Sequence, residues 1–320
     1  MNVLIVGVNG FLGSAISFAA TSRGHNVFGL SRSREATLDV SGTYVPGDRS
    51  QPDVIRHIVV REQIDVVVDV IAMTLPDTEK LIAQLDGLVR QYVMLSSSDV
   101  YRNYELFHRK ATGTPIAGSA NEDSALRITR YPYRLEQNRS SDAEDKYLDD
   151  YDKIPIELAV QKMASDWTIL RLPMVYGPGD KQRRFRWAIE PLLKGVDRIV
   201  MPRSWLEWQT TYGFVDNVGA AIATTIGDSR AARRVFNVTE AAPANHFKWL
   251  RRFAEVMSWD GDIEVTDDPD DPFARRLESF DLTVPFEIDG RRIREELGFA
   301  EEVDVVSGLK RTVSDEANRL

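Results

Sequence analysis

Apolar positions along this chain follow two rhythms that alternate through its first half. Short, nearly unbroken apolar runs predict buried strands: Val3 to Val6, HNVFGLSRS from His25, TYVPGD from Thr43, IDVVVDVIA from Ile64 and QYVMLSSSDVY from Gln91. Between them, apolar residues recur at helical spacing from Ala15 to Arg23, closed by Gly24, and again over Pro52 to Gln63 and Asp77 to Leu88. Strands and helices in this order predict an α/β fold on a doubly wound parallel sheet, with ligands at the carboxyl ends of the strands.

The first of those ends carries the most informative stretch. MNVLIVGVNGFLGS breaks from strand into Gly7, Gly10 and Gly13 just before the first helix. Gly7 permits a turn that a Cβ would strain, Gly10 lets the backbone approach a pyrophosphate, and Gly13 lets the helix pack close to the strand. The free N–H groups of the helix start and its macrodipole favour an anion without any basic side chain. A dinucleotide is therefore expected here, on Gly7, Gly10, Phe11, Leu12 and Gly13. In NAD-preferring sites an acidic residue about 20 positions further on takes the ribose hydroxyls, whereas Ser31, Arg32, Ser33 and Arg34 stand there in this chain. Arg32 and Arg34 suit a 2′-phosphate, which a guanidinium binds through paired, charge-assisted hydrogen bonds, so NADP(H) is expected over NAD(H). The other reading of the same residues is a solvated basic turn. Asp48 and Ala72, at the ends of the third and fourth predicted strands, complete the expected cofactor set on this part of the chain.

Composition narrows the class. With 320 residues, 43% hydrophobic and 28% charged, the chain has the length of two domains, or of one large α/β domain with an appendage. No apolar run reaches the roughly 20 residues of a membrane span, and no basic leader precedes the first strand, so a cytoplasmic location is expected. The absence of cysteine excludes disulfides, thiolate metal sites and a cysteine nucleophile. Four histidines without ligand spacing imply no metal, and a net charge of -9 argues against nucleic acid as a partner.

Several motifs, in order, make the chain resemble the extended short-chain dehydrogenase/reductases, the NAD-dependent epimerase/dehydratase family. GVNGFLG is similar to that family's cofactor turn, SSSDVY to its serine strand, and LRLPMVYGPGD to its sixth-strand signature. YGFVDNVGAAI with VFNVTE, and later FEIDGRRIREELGF with VVSGLKRTV, are similar to its closing elements. The resemblance implies a Rossmann domain over 1–176 with 211–239 returning to it, and a smaller C-terminal substrate-binding region from 177–210 and 240–320. It also implies that Pro173 lies beside the nicotinamide and that Ser97, four residues before Tyr101, holds the substrate oxygen, with Ser98 next to it.

The family's catalytic tyrosine stands four residues before a lysine, and here the chain departs from it. Tyr131, Tyr133, Tyr147 and Tyr151 all lack a lysine at the fourth following position. Family spacing places the lysine at Lys153, four before Glu157, which leaves Asp149 at the tyrosine position, where an ionised carboxylate is a poor proton donor. On a helix, Tyr151 would lie roughly 200° around from Lys153. Pro155 delays the helix start, however, and frees both residues to reach the crevice. Ser97, Tyr151 and Lys153 are thus the catalytic candidates, with the ammonium expected to lower the phenol's pKa. The acidic stretch from Leu135 to Asp150 reads as an inserted, mobile flap. Arg183, Arg184, Arg186, Trp187, Arg203, Trp205 and Trp208 read as a grip for a phosphorylated, aromatic substrate such as a nucleotide sugar, or else as core and solvated surface. An NADP(H)-dependent oxidoreductase or epimerase acting on a hydroxyl or carbonyl carbon is the reading these features support. Its rival, implied by the broken tyrosine-lysine pair, is a non-catalytic dinucleotide-binding relative of the redox-sensor or RNA-binding type.

Overall fold

The computed structural model describes residues 1–32, 41–135, 137, 139–140, 142–241 and 243–320; Arg34 lies outside the described residues. The first half of the chain runs through β1 (Asn2–Val6), α1 (Phe11–Ser22), β2 (Asn26–Ser31), β3 (Thr43–Pro46), α2 (Pro52–Arg61), β4 (Val66–Asp69), α3 (Leu75–Leu85) and β5 (Gln91–Ser97). It continues through α4 (Arg102–Phe107), α5 (Lys153–Val160) and β6 (Asp166–Leu172). These six strands and a seventh, Arg234–Asn237, form one parallel sheet in the order Arg234–Asn237, β6, β5, β4, β1, β2, β3. The order reverses between β1 and β4, and that is where a doubly wound sheet opens a crevice at its carboxyl edge.

Alternation along each strand supplies two cores. Val3 and Ile5 of β1 face one side with Val66, Val68, Val93 and Leu95, and pack on Ile16, Ala19 and Ala20 of α1. Leu4 and Val6 face the other, with Val67, Tyr92 and Met94, and are covered by α2, α3 and α5 through Ile55, Ile58, Leu81, Leu85, Ile156 and Val160. Both faces are buried, which is why the strands read as continuous apolar runs; each such side chain contributes roughly 1.5 to 3 kcal/mol. The helix Val215–Thr225 lies close against α1: a Cβ on Gly219 would stand 2.8 Å from the Ala15 backbone.

The rest of the chain is built from short pairings. Met174–Tyr176 pairs in parallel with Tyr212–Phe214, and Arg198–Pro202 with Asp262–Thr266, while Gln209–Thr210 meets Ala244–Asn245 antiparallel. The segments 177–210 and 240–320 therefore come together in space. They share an apolar core with one face of the main sheet, which extends from Val3 to Trp249, Phe253 and Leu309. Among the described residues no helix is long and apolar enough to cross a membrane.

Candidate active site

The glycine turn has the geometry a pyrophosphate needs. Gly7 has a φ of 96°, open to glycine and costly for other residues. Its N–H and that of Val8 both donate to the Leu30 carbonyl, at 2.9 and 3.3 Å. A Cβ on Gly13 would stand 2.2 Å from the Gly7 carbonyl oxygen and 2.7 Å from Val8 Cα, so the helix could not sit this close with any larger residue. Gly10 is the extended N-cap of α1, which has neither a side-chain cap nor an acidic residue in its first turn. The helix start thus keeps its donors and its dipole for an anion, and the residues fit a dinucleotide. Phe11 and Leu12 are the first two residues of that helix and are half-buried.

Arg32 is exposed just beyond the end of β2. Asp48, past β3, accepts from the Ser50 N–H at 2.8 Å. That bond, and more weakly the Arg32 guanidinium, holds the Asp48 carboxyl below its ordinary range against the opposing effect of burial. Arg32 therefore faces a carboxylate as well as solvent. At the end of β4 the sequence reading missed a buried cluster: Arg49 donates from Nη2 to Asp69 Oδ2 at 2.6 Å and to Thr78 Oγ1 at 3.1 Å, and the Tyr92 hydroxyl donates to Asp69 Oδ2 at 2.6 Å. Asp69 also accepts from the Ile71 N–H, at 3.1 Å, which fixes the chain leaving β4 where Ile71 leans over Gly7.

Ser97, Tyr151 and Lys153 meet at the ends of β4 and β5. Asp152 caps α5, accepting from the Ile154 N–H at 3.2 Å, so Lys153 is the first residue of the helix. Tyr151 precedes the cap in an extended bridge to Thr74, and the helical angle between the two side chains does not apply. Lys153 is buried; its Nζ donates to the carbonyls of Ala72 at 2.6 Å and Leu95 at 2.9 Å and lies 5.5 Å from the centre of the Tyr151 ring. Burial lowers this ammonium to about 8, against the opposing pull of Asp99 and Asp69.

The environment of Tyr151 differs from the expected one. Its hydroxyl donates to Asp99 Oδ2 at 2.9 Å, and burial together with that carboxylate pushes the phenol well above its ordinary value. Ser97 opposes this shift, but the net effect on the phenol is upward rather than the lowering expected from Lys153. The sequence carried a hint in the aspartate of SSSDVY, though nothing showed that it would be buried. Asp149, at the family's tyrosine position, is turned elsewhere and held by Arg139 and Lys146 at 2.6 and 2.8 Å. Arg134 also donates to the Asp149 carbonyl, at 2.7 Å. Pro173 is buried between β6 and Met174–Tyr176.

The arginines and tryptophans expected to grip a substrate have partners within the chain. Arg183, Arg184, Arg186 and Arg203 are ion-paired with Glu316, Asp180, Glu190 and Asp267. Trp208 donates to the Val284 carbonyl at 3.0 Å, and Trp187 and Trp205 pack on His246. A cleft of about 600 Å³ beside Arg203, Asp267 and Asp281 contains none of Ser97, Tyr151 and Lys153. That cleft is therefore separate from the candidate residues at the strand ends.

The sequence profile of the NAD dependent epimerase/dehydratase family matches residues 3–239. A curated relative, chloroplast stem-loop binding protein of 41 kDa b from Arabidopsis thaliana, is 23% identical over 251 residues, 74% of this chain and 58% of the relative, so the chain spans less than two thirds of that protein. UDP-glucose 4-epimerase of Thermotoga maritima, solved with UDP-glucose, superposes with a TM-score of 0.69 at 16% identity, covering 100% of this chain and 99% of the other. dTDP-glucose 4,6-dehydratase of Bacillus anthracis, solved with NAD, gives 0.69 at 14% identity over 99% and 97%. At these identities the superpositions establish the fold.

Proposed function

The chain belongs to the NAD dependent epimerase/dehydratase family, and on that premise we propose that it is a dinucleotide-dependent oxidoreductase or epimerase acting at a hydroxyl or carbonyl carbon of a nucleotide sugar. One observation carries this reading: Ser97, Tyr151 and Lys153 converge although their spacing breaks the family pattern. Gly7, Gly10, Phe11, Leu12 and Gly13 would hold the pyrophosphate, with Ala72 and Pro173 near the nicotinamide. Arg32 would favour NADP(H), with the Asp48 carboxylate beside it acting the other way. When bound, the dinucleotide supplies the hydride acceptor or donor.

The chain's own residues do the rest. Ser97 holds the substrate oxygen, its Oγ already oriented by accepting from the Asp99 N–H at 3.2 Å. Tyr151 exchanges a proton with that oxygen, and Lys153 keeps a positive charge beside the ring while the oxygen gains negative charge. The substrate class rests on the UDP-glucose and dTDP-glucose named for the superposed structures.

Tyr151→Phe tests the reading, since it keeps the ring and removes the transferable proton. Turnover on a panel of nucleotide sugars should fall about a hundred-fold or more, with dinucleotide binding unchanged. Full activity in that variant would pass the role to Tyr133 or Tyr147. If the wild-type protein turns over none of the panel, the non-catalytic reading replaces this one.

A further inference from the structure

The Asp99 carboxylate takes no part in that chemistry, yet it is the group to which the Tyr151 hydroxyl donates. Its side chain is 2% exposed. Oδ2 accepts from the hydroxyls of Tyr151, at 2.9 Å, and Tyr133, at 3.2 Å, while Oδ1 is buried and among the described residues has no hydrogen-bond partner. The residue is fixed from both sides of its backbone: its N–H donates to Ser97 Oγ, and its carbonyl accepts from Arg127 Nε at 2.9 Å. Arg127 makes its other bonds to Asp152 and to the Thr129 carbonyl, so no guanidinium hydrogen bond reaches the Asp99 carboxylate.

Two consequences follow from that placement. A phenol that donates to a buried carboxylate does not ionise readily, because the phenolate would put a second negative charge beside the first. Tyr151 is thus poorly suited to act as a ready-made phenolate base. The same hydrogen bond offers an exit for its proton, and the under-solvated carboxylate gains by receiving it.

We propose that Asp99 acts through Tyr151 as the proton acceptor of this site, an inference that rests on Tyr151 being the proton-transfer group. In the oxidising direction the substrate O–H bond breaks as its proton bonds to the Tyr151 oxygen. The Tyr151 O–H bond breaks as its proton bonds to Asp99 Oδ2. The substrate carbon loses a hydride, with its electron pair, to an oxidised nicotinamide dinucleotide, so the carbon is oxidised and that co-reactant reduced. The reducing direction reverses each transfer. Tyr151 stays neutral before and after, and Asp99 is a positioning residue that stores the proton. Arg127, Lys153, Tyr104, Tyr133 and Tyr151 are the charged and titratable groups that act on it, and burial pushes its carboxyl above the ordinary value against the first two.

Asp99→Asn keeps the shape and can accept from Tyr151, but cannot take a proton; Asp99→Glu keeps the acid. The first readout needs no substrate: the ultraviolet absorbance of tyrosinate is followed with pH in wild type and in Asp99→Asn, each against its Tyr151→Phe counterpart. Asp99→Asn should bring the Tyr151 signal to lower pH, and an unchanged signal overturns the proposal. The second readout is the pH profile of the oxidation. Asp99→Asn should lose about a hundred-fold at neutral pH and recover as pH rises and Tyr151 ionises by itself, with partial rescue in Asp99→Glu. An Asp99→Asn profile matching wild type overturns the relay. If Tyr151→Phe is impaired in that case, only the role of Asp99 falls, whereas a fully active Tyr151→Phe removes the reading beneath it.

Discussion

Lys153 Nζ lies 5.5 Å from the centre of the Tyr151 ring, although the two residues are separated by a single aspartate. Asp152 makes this possible, since it ends the extended bridge at Tyr151 and caps α5 at Lys153. A helix through both residues would have put them on opposite sides.

The Lys153 ammonium has a folded-state value of about 8, against 10.5 as its ordinary value. A lowered lysine loses its proton on folding between these two values, so the unfolded chain binds more protons there and stability rises with pH. Below about 8 the cost of the buried charge is fully present, and above 10.5 it is gone. Wild type should therefore gain about 3 kcal/mol over that interval relative to Lys153→Met. Denaturant unfolding at several pH values measures it; parallel curves for the two proteins would show that the ammonium carries no such cost.

Arg32 and Asp48 set opposing terms for a 2′-phosphate. Arg32→Ala should weaken NADPH binding about tenfold, or about 1.4 kcal/mol, and leave NADH unchanged. Asp48→Asn, by removing the carboxylate that faces Arg32, should tighten NADPH by a smaller factor. Isothermal titration with both cofactors decides, and equal affinities in wild type would end the expectation of NADP(H).

The glycine turn separates binding from folding. In Gly10→Val the side chain's Cβ meets only the Gly7 carbonyl, at 3.2 Å, so the protein should fold while dinucleotide binding disappears. In Gly13→Ala the Cβ is driven into the Gly7 oxygen and Val8, and stability should fall by about 1 to 3 kcal/mol. Thermal unfolding of the two variants, with fluorescence titration of the first, checks the contrast.

What was legible in the chain shares a physical property: it depends on neighbours in sequence. The glycine turn, the strands buried on both faces and the start of α5 just before Pro155 are all local consequences of backbone and side-chain shape. Asp99, Arg49 and Asp69 were missed because their meaning comes from partners far along the chain. Asp99 is buried by the loop that brings Tyr133 and by the approach to α5 that brings Tyr151, and no spacing in SSSDVY encodes either. The carboxylates that pair with Arg183 and Arg203 likewise lie more than sixty residues away in the sequence, whereas those of Arg184 and Arg186 are four residues away.

Arg127 ties these distant pieces together and gives the last prediction. Its side chain and that of Asp152 are 0% and 1% exposed, and they form a buried ion pair. Asp152 caps α5 and also accepts from the Tyr131 N–H at 3.0 Å, while Arg127 Nε holds the Asp99 carbonyl at 2.9 Å. Removing either partner leaves an uncompensated charge in the interior, which costs about 3 to 5 kcal/mol, more than an exposed pair would. Arg127→Met and Asp152→Asn should each destabilise by that amount in denaturant unfolding, and the double variant by less than their sum because the stranded charge is gone. Each single variant should also displace Tyr151 from Asp99, lowering the pH at which its phenol ionises. Additive losses would mean that the two side chains act independently and that the pair does not organise the site.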